Sequence, residues 1–218
     1  MNPLPSLQEA TAALRALGDD LGRRGWLPAT SGNLSVRLAD EPLCFAITRS
    51  GADKQNLADA DVLQVDASGR VLTETAYRPS AETIVHIHLY ETFGAATCGC
   101  ILHVHTVFNN LASQLHFGAG HVLLADHELL KALGHWNEGA RIAVPIVENF
   151  ADLAHLGEAV RAAARPECPG VLVRNHGIYA WGADAFAAKR HLEAFEFLFE
   201  YDIRFRQAQA AFGPDAMR

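Results

Sequence analysis

The sequence predicts an α/β domain in which helices layer on a sheet, and three observations carry that prediction. The N-terminal half holds short strand patterns separated by polar, glycine-containing turns. The C-terminal half alternates strand patterns with helical ones, and the chain begins and ends on helical periodicity. At 218 residues, 50% hydrophobic and 20% charged, the chain suits one generous domain that buries a core without disulfides. Residues 1–218 read as a single domain, with no repeat, linker or low-complexity tract.

Ser6-Leu7-Gln8-Glu9 fits a capping box, and Leu7, Ala10, Leu14, Leu17 and Leu21 follow helical spacing until Gly22 and Gly25 interrupt it. The turn Thr30-Ser31-Gly32-Asn33 feeds a strand through Leu38, and a second strand from Leu43 to Thr48 makes a hairpin with it. After Thr48-Arg49-Ser50-Gly51, strands Val62 to Asp66 and Arg70 to Thr73 flank Ala67-Ser68-Gly69. A helix is expected from near Ser80, with Ser80 and Thr83 bracketing its start, then a strand from Cys100 to His105. Helical patterns follow at Val107 to Leu115 and His127 to Leu133, and a strand at Arg141 to Val144 ends at Pro145. Asp152 to Ala164 reads as helix, Gly170 to Arg174 and Ile178 to Trp181 as strands, and Asp184 to about Gln209 as a long final helix. Phe195, Phe197, Phe199 and Phe205 on that helix read as core or subunit-interface residues.

A formal charge of −7 argues against a general nucleic-acid binder, which needs a basic face to displace counterions. No apolar run reaches the roughly eighteen residues of a spanning helix, so no membrane role is expected. Met1 to Pro5 lacks the regions of a signal peptide, which makes the cytoplasm the expected location. Cys44, Cys98, Cys100 and Cys168 have neither zinc-ribbon spacing nor the density of a secreted scaffold; Cys98 and Cys100 read as small buried residues leading into a strand.

Chemistry enters with His103-Val104-His105. Side chains two apart on a strand project to the same side, so both imidazoles can approach one cation. His176, at a strand-to-loop junction, supplies a third. Three neutral nitrogens and one open position suit a catalytic divalent metal, most often zinc, rather than a closed structural site. His86 and His88 form the internal contrast: on a helix, two residues apart is roughly 200° around the axis, so these read as packed or solvent-facing residues.

Three polar turns, Thr30 to Asn33, Thr48 to Gly51 and Arg78-Pro79-Ser80, combine hydroxyls with exposed backbone amides, the parts that hold a phosphate monoester without a P-loop. A divalent metal beside such a pocket suits enolisation of a phosphorylated ketose, and that reaction needs a base. Glu82 and Glu128 are the two candidates.

Taken in order, Thr30-Ser31-Gly32-Asn33-Leu34-Ser35, Thr48-Arg49-Ser50-Gly51, Arg78-Pro79-Ser80-Ala81-Glu82-Thr83, His103-Val104-His105 and Arg174-Asn175-His176-Gly177 resemble the class II aldolase family, and the resemblance covers nearly the whole chain. It implies a three-layer α/β/α fold around a largely antiparallel central sheet. It also implies one zinc ion per subunit on His103, His105 and His176, a small phosphorylated ketose as substrate, and a cyclic homotetramer with sites at subunit interfaces. Asn33, Ser50, Gly51 and Ser80 are the residues it suggests for substrate binding. Ala81 departs from the family's second serine, which removes one hydroxyl from that shell.

Within the family, the runs Leu102 to Val107, His127 to Gly134, Val144 to Asn149, Arg174 to Gly182 and Lys189 to Phe199 are similar to the members that dehydrate a methylthio-bearing ketose phosphate in methionine salvage. That likeness favours Glu128 as acid/base, whereas the aldolase likeness favours Glu82. The rivals are a sugar-phosphate aldolase or a ribulose-phosphate 4-epimerase, which share the enolisation, and a metal-free interaction module on the same fold.

Overall fold

Helix α1 (Leu7–Arg23) starts at the expected capping box, with Ser6 Oγ accepting from Glu9 N at 3.3 Å and the Glu9 carboxylate accepting from Ser6 N at 2.8 Å. The structure, a computed structural model, describes residues 3–213, so Met1, Asn2 and the last five residues of the expected domain lie outside it. Gly22 does not break α1. It lies inside the helix, where a Cβ would stand 2.3 Å from Gln55 Cγ, so this glycine serves close packing rather than termination.

Eight strands form the sheet: β1 (Asn33–Asp40), β2 (Leu43–Thr48), β3 (Val62–Asp66), β4 (Cys100–Val104), β5 (His121–Ala125), β6 (Arg141–Val147), β7 (Gly170–Val173) and β8 (Gly177–Gly182). Their order is β3-β2-β1-β4-β8-β7-β6-β5. Every pairing is antiparallel except β6 with β7. The remaining helices are α2 (Thr83–Thr92), α3 (Val107–Leu115), α4 (Leu153–Ala163) and α5 (Ala185–Phe212).

The period of two along β4 and β8 sorts the core into two halves. Cys100, Leu102 and Val104 with Ile178 and Ala180 face α1, α3 and α5, among Leu14, Leu192, Phe195 and Phe199. Ile101 with Tyr179 and Trp181 face the other way, onto α2 and α4, among Val85, Leu89 and Leu156. The result is the three-layer α/β/α arrangement around a mostly antiparallel sheet. Arg37 ties one corner of it: buried, it donates to the carbonyls of Tyr90, Phe93 and Cys98 and so satisfies the C-terminal end of α2.

Several boundaries differ from expectation. The helix expected near Ser80 begins at Thr83, with Glu82 at its N-cap position and Ser80 Oγ accepting from Glu82 N at 3.3 Å in the preceding turn. Arg70 to Thr73 makes only an isolated bridge, Val65 to Val71, not a strand. The segment from His127 to Leu133 is a 3-10 helix (Glu128–Leu133) capped by His127 Nδ1, rather than an α-helix. Strand β6 runs through Pro145 to Val147; Pro145 lies at the last pair with β5, and the next amide, Ile146, donates to Gly120 O at 2.9 Å. Strand β5 has no counterpart among the expected elements, because Leu123, 51% exposed, puts an apolar residue on its outward face and hides the alternation.

His86 and His88 both sit on α2 and do not meet. His86 is buried, whereas His88 packs beside Gly157 of α4. All four cysteines are buried and free, as read for Cys98 and Cys100. Phe195 and Phe199 are core, and Phe197 is 51% exposed.

Candidate metal centre

Sheet register builds the centre. Asn33 of β1 pairs with His103 of β4, which pairs with Tyr179 of β8, so three polar side chains stand in a row across adjacent strands on one face. The His103 ring stacks on Tyr179 at 4.0 Å between centroids. His105 follows one residue past the end of β4, its amide donating to Trp26 O at 3.1 Å. His176 sits in the β7–β8 connection, after Asn175, whose φ of 50° turns the chain and whose side-chain amide donates to Gln114.

The three imidazoles converge. His103 Nε2 lies 2.9 Å from His105 Nε2 and 3.4 Å from His176 Nε2. One ligand atom from each residue falls within 4.8 Å of the others, the one such triad among the described residues. Second partners fix which nitrogen faces inward: His103 Nδ1 donates to Ile178 O at 3.0 Å, and His176 Nδ1 donates to Asn149 Oδ1 at 3.2 Å. In the neutral rings the Nε2 lone pairs therefore face one another. Glu82 adds a carboxylate, 3.3 Å from His103 Nε2 and 3.1 Å from His176 Nε2. So many acceptors at such separations suit a divalent cation among them, and the donor set fits the family's metal.

Close approach is enforced by Gly177, where a Cβ would stand 2.3 Å from Val104 O and 2.8 Å from His105 Cδ2. Electrostatics agree with neutral ligands. Burial pushes His103 down to about 4 and His105 down to about 3. Burial would raise Glu82, but His103, His176 and the Asn33 amide outweigh it and hold the carboxyl well below its usual range. Asn33 Nδ2 donates to Glu82 Oε2 at 2.7 Å and Tyr179 OH donates to the same oxygen at 2.8 Å.

A cavity of about 210 Å³ opens beside the triad. Asn33, Ser50, Gly51 and Ser80 all line it, as do Glu82 and His105. Asn33 has its amide oxygen and one N–H already engaged, by His86 and Glu82. Ala81 lines the cavity where the family's second serine would bring a hydroxyl. Two cations there were not singled out from sequence, Arg49 and Lys54. Lys54 is buried, its ammonium bonded to Thr30 O, and burial lowers its pKa. A lysine in a polar loop reads as solvated; its burial comes from the contact of that loop with α1.

Glu128 is elsewhere. Its side chain is 78% exposed and paired with Lys131 at 2.7 Å, beside a separate cavity that includes His127 and Trp136. It follows β5, four positions from β4 in the sheet, about 19 Å at the usual strand spacing. The chain does not bring Glu128 to its own three histidines.

The chain is similar to known proteins over most of its length. Residues 12–203 match the family described as Class II Aldolase and Adducin N-terminal domain. A methylthioribulose-1-phosphate dehydratase of Persephonella marina is 53% identical over 194 residues, 89% of each chain. One from an Exiguobacterium species is 44% identical over 201 residues, 92% of this chain and 97% of its own. Among solved structures, L-fuculose-1-phosphate aldolase from Thermus thermophilus superposes with a TM-score of 0.72 at 25% identity, covering 94% of this chain and 99% of the aldolase.

Two outcomes are expected. Gly177→Ala forces the β8 start away from His103 and His105, and equilibrium dialysis should find no stoichiometric zinc on it; a wild-type zinc content would show that the rings do not need this approach. The metal-free protein should lose stability as pH falls from about 6.5 to 4.5. Over that range the unfolded chain takes up protons on His86, His103 and His105, which burial holds at about 3, 4 and 3 in the fold. Glu196 opposes this, because burial raises it to about 7 and the fold holds its proton where the unfolded chain does not. Denaturant melts across that range should therefore show a steeper acid loss in Glu196→Gln than in wild type.

Proposed function

We propose that this chain, which belongs to the class II aldolase and adducin N-terminal domain family, removes water from 5-methylthioribulose 1-phosphate to give 2,3-diketo-5-methylthiopentyl 1-phosphate in methionine salvage. The observation that carries the reading is the triad itself: three Nε2 atoms facing one point beside a cationic cavity, in a chain 53% identical to a dehydratase of that name. His103, His105 and His176 would hold the ion, one zinc per subunit. When bound, it supplies a Lewis acid that favours negative charge on the adjacent carbonyl and hydroxyl oxygens of a ketose.

The remaining work belongs to side chains. Arg49 and Lys54 attract the phosphate, and Ser50, Gly51 and Ser80 offer it hydroxyls and amides. An acid/base carboxylate takes the C3 proton and returns it to the departing C4 hydroxyl, so that proton and hydroxide leave as water and the enol relaxes to the diketone. Glu128 takes this role and, lying away from its own triad, acts in the site of a neighbouring subunit. The exposed face of α3 supports such an interface: Val107, Leu111 and Leu115, at helical spacing just after His105, are 70%, 43% and 54% exposed. A cyclic homotetramer closes the arrangement. Glu82 stays at the histidines, an orienting carboxylate and the second candidate for the proton transfer.

Among the described residues no helix is long and apolar enough to cross a membrane. That accords with a cytoplasmic enzyme acting on a small phosphorylated sugar, without nucleic acid.

One specific observation favours a second reading. Glu82 contacts the triad directly, and the fold matches a sugar-phosphate aldolase. The assay that decides uses purified, zinc-loaded protein and synthetic 5-methylthioribulose 1-phosphate. Diketone formation is expected; dihydroxyacetone phosphate plus an aldehyde would sink the dehydratase reading. Glu128→Gln should keep its zinc and lose turnover by at least ~10²-fold, the usual weight of a general acid–base group. Mixing Glu128→Gln subunits with His105→Ala subunits should restore about one quarter of wild-type activity, the share of sites that a random cyclic mixture completes. Hybrids verified by mass that stay inactive would return the role to Glu82.

A further inference from the structure

Behind Glu82 runs a strip of polar side chains that the proposed reaction does not use. Asn33 and Ser35, two apart on β1, share one face, and Glu82, His86 and Tyr90 fall at four-residue spacing along α2 and its cap. Strand and helix thus oppose two short polar rows. Tyr90 OH meets Ser35 Oγ at 2.7 Å, Ser35 Oγ meets His86 Nδ1 at 2.7 Å, His86 Nε2 meets Asn33 Oδ1, and Asn33 Nδ2 meets Glu82 Oε2 at 2.7 Å. Asn33, Ser35, His86 and Tyr90 are all buried, at 3%, 0%, 0% and 2% exposure, so water does not satisfy them.

The carboxylate sets the direction of every bond in this chain. An ionised Glu82 only accepts, so the Asn33 atom facing it is the amide nitrogen, and the atom facing His86 is the oxygen. His86 Nε2 must then carry the proton. Its Nδ1 is left as an acceptor, to which the Ser35 hydroxyl donates a hydrogen bond, and Ser35 Oγ accepts in turn from Tyr90. With His86 absent, the buried Asn33 oxygen loses its donor, and the amide that aims the carboxylate is held at its Glu82 end alone.

We infer that His86 is a positioning residue of the metal centre: backed by Ser35 and Tyr90, it fixes the orientation of the Asn33 amide and thereby aims the Glu82 carboxylate at His103 and His176. The kinetic part of this inference rests on the reaction proposed above; the metal-binding part does not. A histidine kept only for packing would have no reason to act through Glu82, and that difference can be measured.

The experiment is a double-mutant cycle on the full-length, zinc-loaded protein with His86→Leu, Glu82→Gln and the pair combined, read by kcat, KM and zinc affinity against a competing chelator. His86→Leu should lower kcat and zinc affinity by roughly 10- to 100-fold, the range for partners of metal-site residues, with KM within about threefold. His86→Gln, which keeps an N–H near the Nε2 position, should recover most of the loss. In the Glu82→Gln background, His86→Leu should add little, since both changes disable the same carboxylate. Losses that simply multiply, or wild-type kcat and zinc affinity in His86→Leu, overturn the proposal. Where wild type itself does not turn over the ketose phosphate, the proposed reaction fails and the zinc-affinity cycle alone decides the role of His86. If His86→Leu does not fold, Ser35→Ala replaces it, withdrawing the hydroxyl at Nδ1 while leaving the imidazole; a smaller loss of the same pattern supports the proposal, and wild-type values reject it.

Discussion

The register between β1, β4 and β8 is the constraint on which the rest of the molecule depends. Because antiparallel partners share a face, pairing Asn33 with His103 and His103 with Tyr179 fixes a polar row inside an otherwise apolar layer. A slip of one residue on β4 would turn His103 toward α5 and Leu102 toward Glu82. The apolar neighbours forbid it: Cys100, Leu102 and Val104 fill one half of the core and Ile101 the other, so the packing that stabilises the sheet also aims His103 into the triad. Stability and function are here set by the same alternation.

Much of this was legible in the sequence, for identifiable reasons. The capping box of α1 and the bounds of β2, β3 and α3 follow from short-range rules that tertiary contacts did not override, and the helices expected from Asp152 and Asp184 start one residue later, with those aspartates as their N-caps. The two-residue spacing of His103 and His105 and the separate position of His176 were enough to expect a triad, because strand geometry leaves those side chains little choice. Strand β5 escaped because Leu123 points outward. Lys54 escaped because nothing local marks a loop lysine that α1 will bury. The strip from Tyr90 to Asn33 left a trace in the spacing of Glu82, His86 and Tyr90, but four-residue spacing on a helix is so common that only the facing strand gives it meaning.

The contrast between Glu82 and Glu128 shows why a motif needs its surroundings. Both are glutamates near a helix start in sequence. Glu82 is drawn into the centre by four partners, Asn33, Tyr179, His103 and His176, and loses most of its contact with water. Glu128 keeps an exposed carboxylate with a single lysine partner. A carboxylate so tightly held is well suited to orienting charge and poorly placed to pick up and release a proton during each turnover. The freer one keeps the contact with water through which a proton can come and go, provided that the proposed site lies within its reach.

That proviso links the chemistry to the surface. Val107, Leu111 and Leu115 follow His105 directly, so the apolar stripe on α3 and the histidine triad are joined by a single turn of chain whose N-cap, Thr106, also donates to the buried Glu196 of α5. The division of labour follows from burial: the sheet fixes His103 from within, whereas His105, past the strand end, depends on its amide bond to Trp26 O, on the close approach of Gly177 and on the turn that Thr106 caps.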